Sequence, residues 1–227
     1  MNNAAIIVAA GSGTRFDSKV PKQFLKLMNM EIIIRSLKIF DIPEISLLVL
    51  VVNKEMVTYS KKIIEGYKFL NPIEVISGGD KRQLSVFKGL EYLNDYEIDK
   101  VIIHDAARPL FKQRDLIPFL NKIESGVGVV VVSSMNNTIY EINNNRIINV
   151  PDRKNYVNAE TPQGFIFNEI FSSHKKELTR KMYYNTDDVQ IFLKNGFQMV
   201  LYNISYNNLK ITKKEDFLVA ETLLINK

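Results

Sequence analysis

Short apolar runs rich in β-branched residues alternate with amphipathic stretches along most of the chain. The apolar runs cover residues 4–8, 46–52, 73–76, 101–103, 127–132 and 198–201. Runs of this length are typical of strands covered on both faces, as in a parallel sheet. The amphipathic stretches between them cover residues 31–40, 55–67, 82–93 and 116–125. This alternation predicts an α/β fold: a Rossmann-like, open, mostly parallel twisted sheet flanked by helices.

Residues 133–158 depart from this pattern. Two short alternating segments, residues 138–142 and 146–150, flank Asn143-Asn144-Asn145. Because Asn tolerates the positive φ of a tight turn, this region predicts a protruding β-hairpin arm. A two-stranded hairpin is marginal alone, so we expect the arm to lean on another surface, such as a second subunit. A closing helix is expected over residues 213–225, and the whole chain, residues 1–227, is interpreted as a single domain carrying this arm.

Composition excludes several classes of site. The 227 residues are 46% hydrophobic and 24% charged, as in a folded protein, and they include no cysteine and two histidines. Disulfides and thiolate metal sites are therefore excluded, and a histidine-built zinc site is not indicated. The net charge of +5 comes from scattered basic residues, which does not favour a nucleic-acid partner. The apolar run at residues 4–10 is too short to span a membrane, so a cytoplasmic protein is expected.

A glycine-rich turn follows the first predicted strand. It reads AAGSGTR at residues 9–15, and PKQFL follows at residues 21–25. Glycines at a strand end let backbone N–H groups approach a phosphate, and Arg15 and Lys22 add positive charge. The turn is neither a Walker A motif nor a dinucleotide fingerprint. An ordinary strand-to-helix turn is the alternative, but the added Arg15 and Lys22 favour a triphosphate site.

A second glycine turn precedes the predicted helix at residues 82–93. It reads GGDKRQLSV, with Arg82 and Ser85 three residues apart on the first helical turn. A helix N-terminus favours anions and hydroxyl groups through its free N–H donors. The simpler alternative is an ordinary capped helix with Asp80 as its N-cap.

The motif HDAARP follows the buried strand at residues 101–103. Ligands of open parallel sheets gather at the carboxyl ends of the strands, which is where Asp105 is expected. Its carboxylate could hold Mg²⁺ or a substrate hydroxyl. Arg108 could meet a phosphate or pair with Asp105 itself. His104 is interpreted as a structural neighbour of the site rather than a base.

Three later stretches are less specific. Residues 159–165 look like a polar turn that leads into an apolar segment. Residues 208–212 look like an alternating strand carrying Lys210, which by itself indicates an edge charge. Asp187 and Asp188 could form a metal pair, but their place before Val189 is first that of a helix cap.

Taken in order, these motifs resemble the alditol-phosphate cytidylyltransferase family. The similarity runs over nearly the whole chain through AAGSGTR, PKQFL, GGDKRQLSV, HDAARP, Asp152-Arg153, TPQ, TDD and NLKIT. The resemblance implies a Rossmann-like domain, CTP and an alditol phosphate as substrates, Mg²⁺ or another divalent cation, and a homodimer formed through the arm.

The resemblance also implies residue roles. Phosphates of CTP would be bound by the first turn, and the cytosine and ribose by the second; these predicted CTP-binding residues are Ala9, Ala10, Gly11, Ser12, Gly13, Thr14, Gly79, Asp80, Arg82 and Ser85. Charge in the reaction would be stabilised by Arg15, Lys22 and Lys210. The predicted contacts to the alditol phosphate are Asp105, Arg108, Thr138, Arg153 and Thr161, with Asp105 also the metal ligand.

The acceptor is a separate question. AAGSG and HDAARP favour methylerythritol phosphate over ribitol phosphate as acceptor, although the arm has Asn137 before Thr138 where the family usually has Asp. Two other classes compete with this hypothesis: a nucleotide-binding module without catalysis, and an enzyme that uses another nucleotide on a hexose phosphate.

Overall fold

A seven-stranded sheet forms the centre of the molecule, with strands in the order β11-β7-β10-β6-β1-β4-β5. The structure is a computed structural model that describes residues 2–11, 21–181 and 185–225. The strands of this sheet are β1 (Asn3–Val8), β4 (Ile45–Val52), β5 (Ile73–Ser77), β6 (Lys100–Asp105), β7 (Val127–Ser134), β10 (Val157–Ile166) and β11 (Gln198–Asn203). Short strands β2 (Lys26–Leu27) and β3 (Met30–Glu31) form a small separate pair. The predicted open, mostly parallel α/β sheet is confirmed.

Strand β10 departs from the prediction. It lies between β6 and β7, antiparallel to both, and it contains residues 159–165. The interpretation of that stretch as a polar turn is wrong. Its polar side chains Glu160, Thr161 and Gln163 are nevertheless buried. Because β10 is antiparallel, its first residues lie beside the carboxyl ends of its neighbours.

Helices cover both faces of the sheet. The helices are α1 (Ile32–Phe40), α2 (Val57–Glu65), α3 (Arg82–Leu93), α4 (Leu116–Asn121), α5 (Phe167–Thr179), α6 (Asp188–Lys194) and α7 (Lys214–Ile225). Side chains of α1 and α4 pack into one apolar cluster with alternate residues of the strands, and side chains of α3, α5 and α6 pack into a second. Ile7 belongs to the first cluster and Ile6 to the second, as the alternation of a strand with two buried faces requires. Helix α5 has no counterpart among the predicted segments.

The arm leaves the sheet between β7 and β10. Strands β8 (Glu141–Asn143) and β9 (Arg146–Asn149) form an antiparallel hairpin in which Ile142 faces Ile147. Asn144 and Asn145 make its turn at φ of 46° and 60°, the left-handed conformation that Asn tolerates. The carboxyl end of β7 and the start of β10 lie at the same edge of the sheet. The arm therefore projects from the edge where ligands of such folds bind.

The C-terminal part closes against the first helix region. The predicted strand at residues 208–212 is absent; these residues run as an irregular segment between β11 and α7. Ile211 and Ala220 pack with Leu27 and Ile32 in a small third apolar cluster. Among the described helices, none combines the length and apolar character needed to cross a bilayer.

Candidate functional site

An open pocket of about 840 Å³ lies at the carboxyl edge of the sheet. The predicted site residues that line it are Ala9, Ala10, Gly11, Lys22, Gly79, Asp80, Arg82, Ser85, Asp105 and Lys210. These positions come from both glycine turns, from PKQFL, from HDAARP and from NLKIT. The fold thus brings residues of all these predicted site segments to one cavity, and the binding itself stays a prediction.

A side chain of the PKQFL segment forms hydrogen bonds to the backbone of the first glycine turn. Gln23 Nε2 donates to the carbonyl oxygens of Ala9, at 2.6 Å, and Gly11, at 3.1 Å. Lys22 Nζ donates to the carbonyl oxygen of Ile211, which connects this turn to the C-terminal segment. The predicted residues Ser12, Gly13, Thr14 and Arg15 lie outside the described residues.

The second glycine turn packs tightly against the first. A Cβ on Gly78 would lie 2.6 Å from Ala10 Cβ and 2.7 Å from Ser85 Oγ, so the close approach needs glycine. Ser85 Oγ also accepts from the backbone N–H of Gly79 at 3.1 Å. Helix α3 begins at Arg82 after Lys81, with no side-chain cap, so the alternative that Asp80 caps it is wrong.

Asp105 lies at the end of β6 between two cations. Lys210 Nζ is 2.6 Å from Asp105 Oδ2, and Arg82 Nε is 3.2 Å from Oδ1. Burial alone would raise the pKa of this carboxyl group, but the charges of Arg82 and Lys210 outweigh burial and hold the pKa well below its usual range. Asp105 is therefore ionised throughout the neutral range.

A chain of hydrogen bonds fixes the backbone at Asp105. The Asp105 N–H donates to Thr161 Oγ1 at 3.1 Å, and that hydroxyl lies 3.1 Å from His104 Nδ1. His104 Nε2 lies 3.0 Å from the carbonyl oxygen of Arg108, which can only accept, so Nε2 carries the hydrogen. The Thr161 hydroxyl then donates to Nδ1. Burial lowers the pKa of His104 to about 4, so the imidazole is neutral and structural, in agreement with its interpretation from sequence.

Lys210 is positioned without regular secondary structure. Asn208 Nδ2 donates to Glu160 Oε2 at 2.9 Å and to the Thr161 carbonyl oxygen at 2.8 Å. Arg108 Nη1 donates to the Asn208 carbonyl oxygen at 2.8 Å. The Ile211 N–H donates to the Ala107 carbonyl oxygen at 2.8 Å. These bonds anchor the segment on both sides of Lys210.

Several predicted acceptor contacts lie elsewhere. Arg108 pairs with Glu160 at 3.4 Å, so the alternative of an Arg108–Asp105 pair is wrong. Thr161 is buried against His104 and does not line the pocket. Thr138 lies on the arm, and Arg153 is exposed and donates to the Asn136 carbonyl oxygen at 2.6 Å. In a single chain, neither Thr138 nor Arg153 is among the described residues that line the cavity.

The sequence did not identify several residues that form hydrogen bonds to the segments lining the pocket. Gln23 is part of a motif but has no charge to draw attention, and Asn208 and Glu160 lie in segments whose pattern is uninformative. Asp187 accepts from the Val189 N–H at 2.7 Å and caps α6, as predicted, whereas its neighbour Asp188 is buried and pairs with Arg82. The separate roles of these two carboxylates could not be read from TDD.

The charge of the pocket suits a polyanion. Among the described residues, six lysine or arginine side chains line it, against three carboxylates. The described part of the chain contains no cluster of three or more His, Asp or Glu side chains that could enclose a metal ion. A site of this kind fits a ligand that carries its own negative charge.

The similarity to known proteins covers nearly the whole chain. The sequence model of the family 2-C-methyl-D-erythritol 4-phosphate cytidylyltransferase matches residues 3–226. The chain belongs to this family.

The sequences of individual family members align with this chain over nearly its full length. The proteins of that name from Petrotoga mobilis and Clostridioides difficile are each 35% identical to this chain over 223 residues. The alignments cover 96% of this chain and 96% of the Petrotoga protein, and 97% and 93% for the Clostridioides protein. A solved structure of the 4-diphosphocytidyl-2C-methyl-D-erythritol synthase from Anaerococcus prevotii superposes with a TM-score of 0.84 at 27% identity, covering 99% of this chain and 96% of that one.

Proposed function

We propose that this protein transfers the cytidylyl group of CTP to 2-C-methyl-D-erythritol 4-phosphate and releases pyrophosphate, a step of isoprenoid precursor synthesis. The observation that carries the proposal is that described residues of both glycine turns, Asp105 and Lys210 line one basic pocket. Membership of the family adds the identity of the nucleotide and of the acceptor.

The chemistry requires no protein nucleophile. A phosphate oxygen of the acceptor attacks the α-phosphorus of CTP and forms a new P–O bond. The bond from the α-phosphorus to the oxygen bridging to the β-phosphate breaks, and its electron pair leaves with pyrophosphate. Negative charge grows on oxygens around the phosphorus, and Lys22 and Lys210, which line the pocket, are proposed to stabilise it. Arg15 is proposed to add a third positive charge.

We also propose a requirement for Mg²⁺ or a similar divalent cation. Asp105 is one carboxylate at the edge of a basic pocket, which fits a cation held by a single protein carboxylate together with substrate phosphates. When bound, such an ion would offset the charge of the triphosphate. Asp105 would then exchange part of its contact with Lys210 or Arg82 for the ion.

The arm supports a proposal of a homodimer. Its exposed apolar side chains include Tyr140, Ile142, Ile147, Ile148 and Val150, and a second copy of the chain would cover them. Thr138 and Arg153 are proposed to reach the acceptor phosphate of the partner's pocket. The reaction is proposed to take place in the cytoplasm, where CTP is made. Sedimentation of the protein would test the dimer.

The deciding experiment is a pyrophosphate-release assay with purified protein and Mg²⁺. CTP, UTP, GTP and ATP are compared with methylerythritol phosphate as acceptor, and ribitol 5-phosphate is then compared with methylerythritol phosphate using CTP. We expect turnover with CTP and methylerythritol phosphate. Turnover with UTP or GTP but not CTP would refute the proposal, and a preference for ribitol phosphate would reassign the acceptor. Repeating the assay with chelator tests the metal.

A further inference from the structure

Arg82 is held by two carboxylates rather than one. Its Nε lies 3.2 Å from Asp105 Oδ1, and its Nη1 lies 2.7 Å from Asp188 Oδ2. Asp105 belongs to the end of β6 and Asp188 to the first turn of α6. The shorter contact is the one to Asp188, which does not line the pocket. The guanidinium is thus anchored from outside the cavity that it faces.

Asp188 is itself held by His174 of α5. His174 Nε2 is 3.1 Å from Asp188 Oδ1, and both side chains are buried. Because a carboxylate accepts, Nε2 carries the hydrogen of this bond. His174 Nδ1 has no hydrogen-bond partner among the described residues. The two oxygens of Asp188 therefore serve two different donors, one on each side.

Two carboxylates and two cations lie in a row from α6 to the pocket, and their charges balance. Asp188 and Asp105 carry two negative charges, and Arg82 and Lys210 carry two positive charges. If Asp188 were lost, Arg82 would have Asp105 as its remaining described carboxylate and would bind it more closely. Asp105 would then be less able to exchange its contacts for substrate. Neighbouring Asp187 cannot replace Asp188, because it already caps α6 and accepts from Gln163.

We propose that Asp188 and His174 are positioning residues for cytidylyl transfer. They hold Arg82 at a fixed point so that Asp105 stays oriented towards the pocket. This inference rests on the proposed function, since it assigns two residues to the same reaction. Neither residue touches the cavity, and their effect passes through Arg82.

Kinetics of four variants test the proposal. Asn in place of Asp188 carries no charge, so its hold on the Arg82 guanidinium is weaker even where its one oxygen still accepts from Arg82. Asp188→Asn should lower kcat by about tenfold to a hundredfold, because a small displacement of a charged group is costly in a preorganised site. His174→Leu removes the donor to Asp188 and should lower kcat severalfold. In the double variant the loss should not exceed that of Asp188→Asn alone, because His174 acts through the Asp188 carboxylate.

The fourth variant is the matched control. Asp187→Asn removes the adjacent carboxylate but can keep the cap of α6, since Asn caps a helix about as well as Asp, so kcat at 25 °C should stay within about twofold. A merely structural role for Asp188 would give the same result as this control. The proposal is overturned if Asp188→Asn keeps wild-type kcat, if Asp187→Asn loses as much, or if the losses of Asp188→Asn and His174→Leu multiply in the double variant.

A crystal structure of Asp188→Asn without substrate gives a readout that needs no activity. The guanidinium of Arg82 should leave its present position relative to Asp105, and an unmoved Arg82 would overturn the proposal. If wild-type protein released no pyrophosphate from CTP and methylerythritol phosphate, the proposed function would fail. The structure of the variant would still decide whether Asp188 positions Arg82.

Discussion

Lys210 Nζ lies 2.6 Å from Asp105 Oδ2, although the two residues are 105 positions apart and Lys210 belongs to no strand or helix. The backbone on either side of Lys210 is fixed by hydrogen bonds from Asn208 and Ile211 to strand β10 and to the HDAARP loop. The position of this cation therefore depends on polar contacts that lie behind the pocket.

Asn208→Ala should loosen Lys210. The variant leaves Glu160 Oε2 and the Thr161 carbonyl oxygen without the Asn208 donor, at a cost of about 1–3 kcal/mol in the free energy of unfolding. We expect kcat to fall about tenfold, since the ammonium is no longer held against Asp105. Urea unfolding and steady-state kinetics measure the two effects. Exposed Asn207→Ala is the control, and equal losses in both variants would contradict the assignment.

Lys22→Ala should remove a charge that stabilises the transition state. Loss of one such group typically lowers kcat by about 10²–10³. The control is Lys26→Ala, whose ammonium lies on the surface 3.8 Å from Glu31 and contributes about 0–1 kcal/mol to stability. Circular dichroism checks that both variants fold. Full turnover by Lys22→Ala would remove the first glycine turn from the mechanism.

His104 predicts a pH dependence of stability. Its pKa is about 6.5 in an unfolded chain and is lowered by burial to about 4 in the folded protein. Below pH 6.5 the unfolded chain takes up a proton that the folded chain does not. Stability from this group is therefore complete above pH 6.5 and declines, on the order of 1 kcal/mol per pH unit, until about pH 4.

Comparison of wild type with His104→Gln isolates this effect. The difference between their free energies of unfolding, measured in urea from pH 7.5 to pH 4, should be level near pH 7.5 and should shift against wild type as the pH falls. A difference that stays constant over this range would show that His104 takes up its proton equally in both states.

Gly78→Ala should disturb the contact between the two glycine turns. The new methyl group would lie 2.6 Å from Ala10 Cβ and 2.7 Å from Ser85 Oγ, so one of the turns must move. Overpacking of this kind costs about 1–3 kcal/mol. We expect the KM for CTP to rise about tenfold in steady-state assays. Gly66→Ala, at the end of α2 and away from the pocket, should leave this KM unchanged.

The parallel strands and the helices between them could be predicted because their signal is local. Residues 46–52 and 101–103 are continuous apolar runs, and burial on both faces needs nothing more. Strand β10 could not be predicted this way. Glu160, Thr161 and Gln163 are buried because distant residues bind them: Asn208, His104 and Asp187 respectively. Strand β10 is therefore stabilised by hydrogen bonds to residues that lie far from it in the sequence, which its own pattern does not indicate.

For the segment that carries Lys210, the sequence predicts a strand that the structure does not contain. Its alternating pattern indicates a strand, yet its backbone binds a loop carbonyl and the side chains of Lys22 and Arg108. Alternation reports which side chains are buried and does not identify the hydrogen-bond partner of the backbone. Similarly, TDD predicts the cap of α6 at Asp187 but not the pairing of Asp188 with Arg82, which is 106 residues away.

The late position of Lys210 in the chain has a consequence for protein synthesis. At about 5–20 residues per second, translation of the 105 residues that separate Asp105 from Lys210 takes roughly 5–20 seconds. During that time a nascent chain contains the residues of β1, β4, β5 and β6, but it lacks the cation that pairs with Asp105. A chain that ends before residue 210 would therefore contain both glycine turns but no lysine to pair with Asp105 in the pocket.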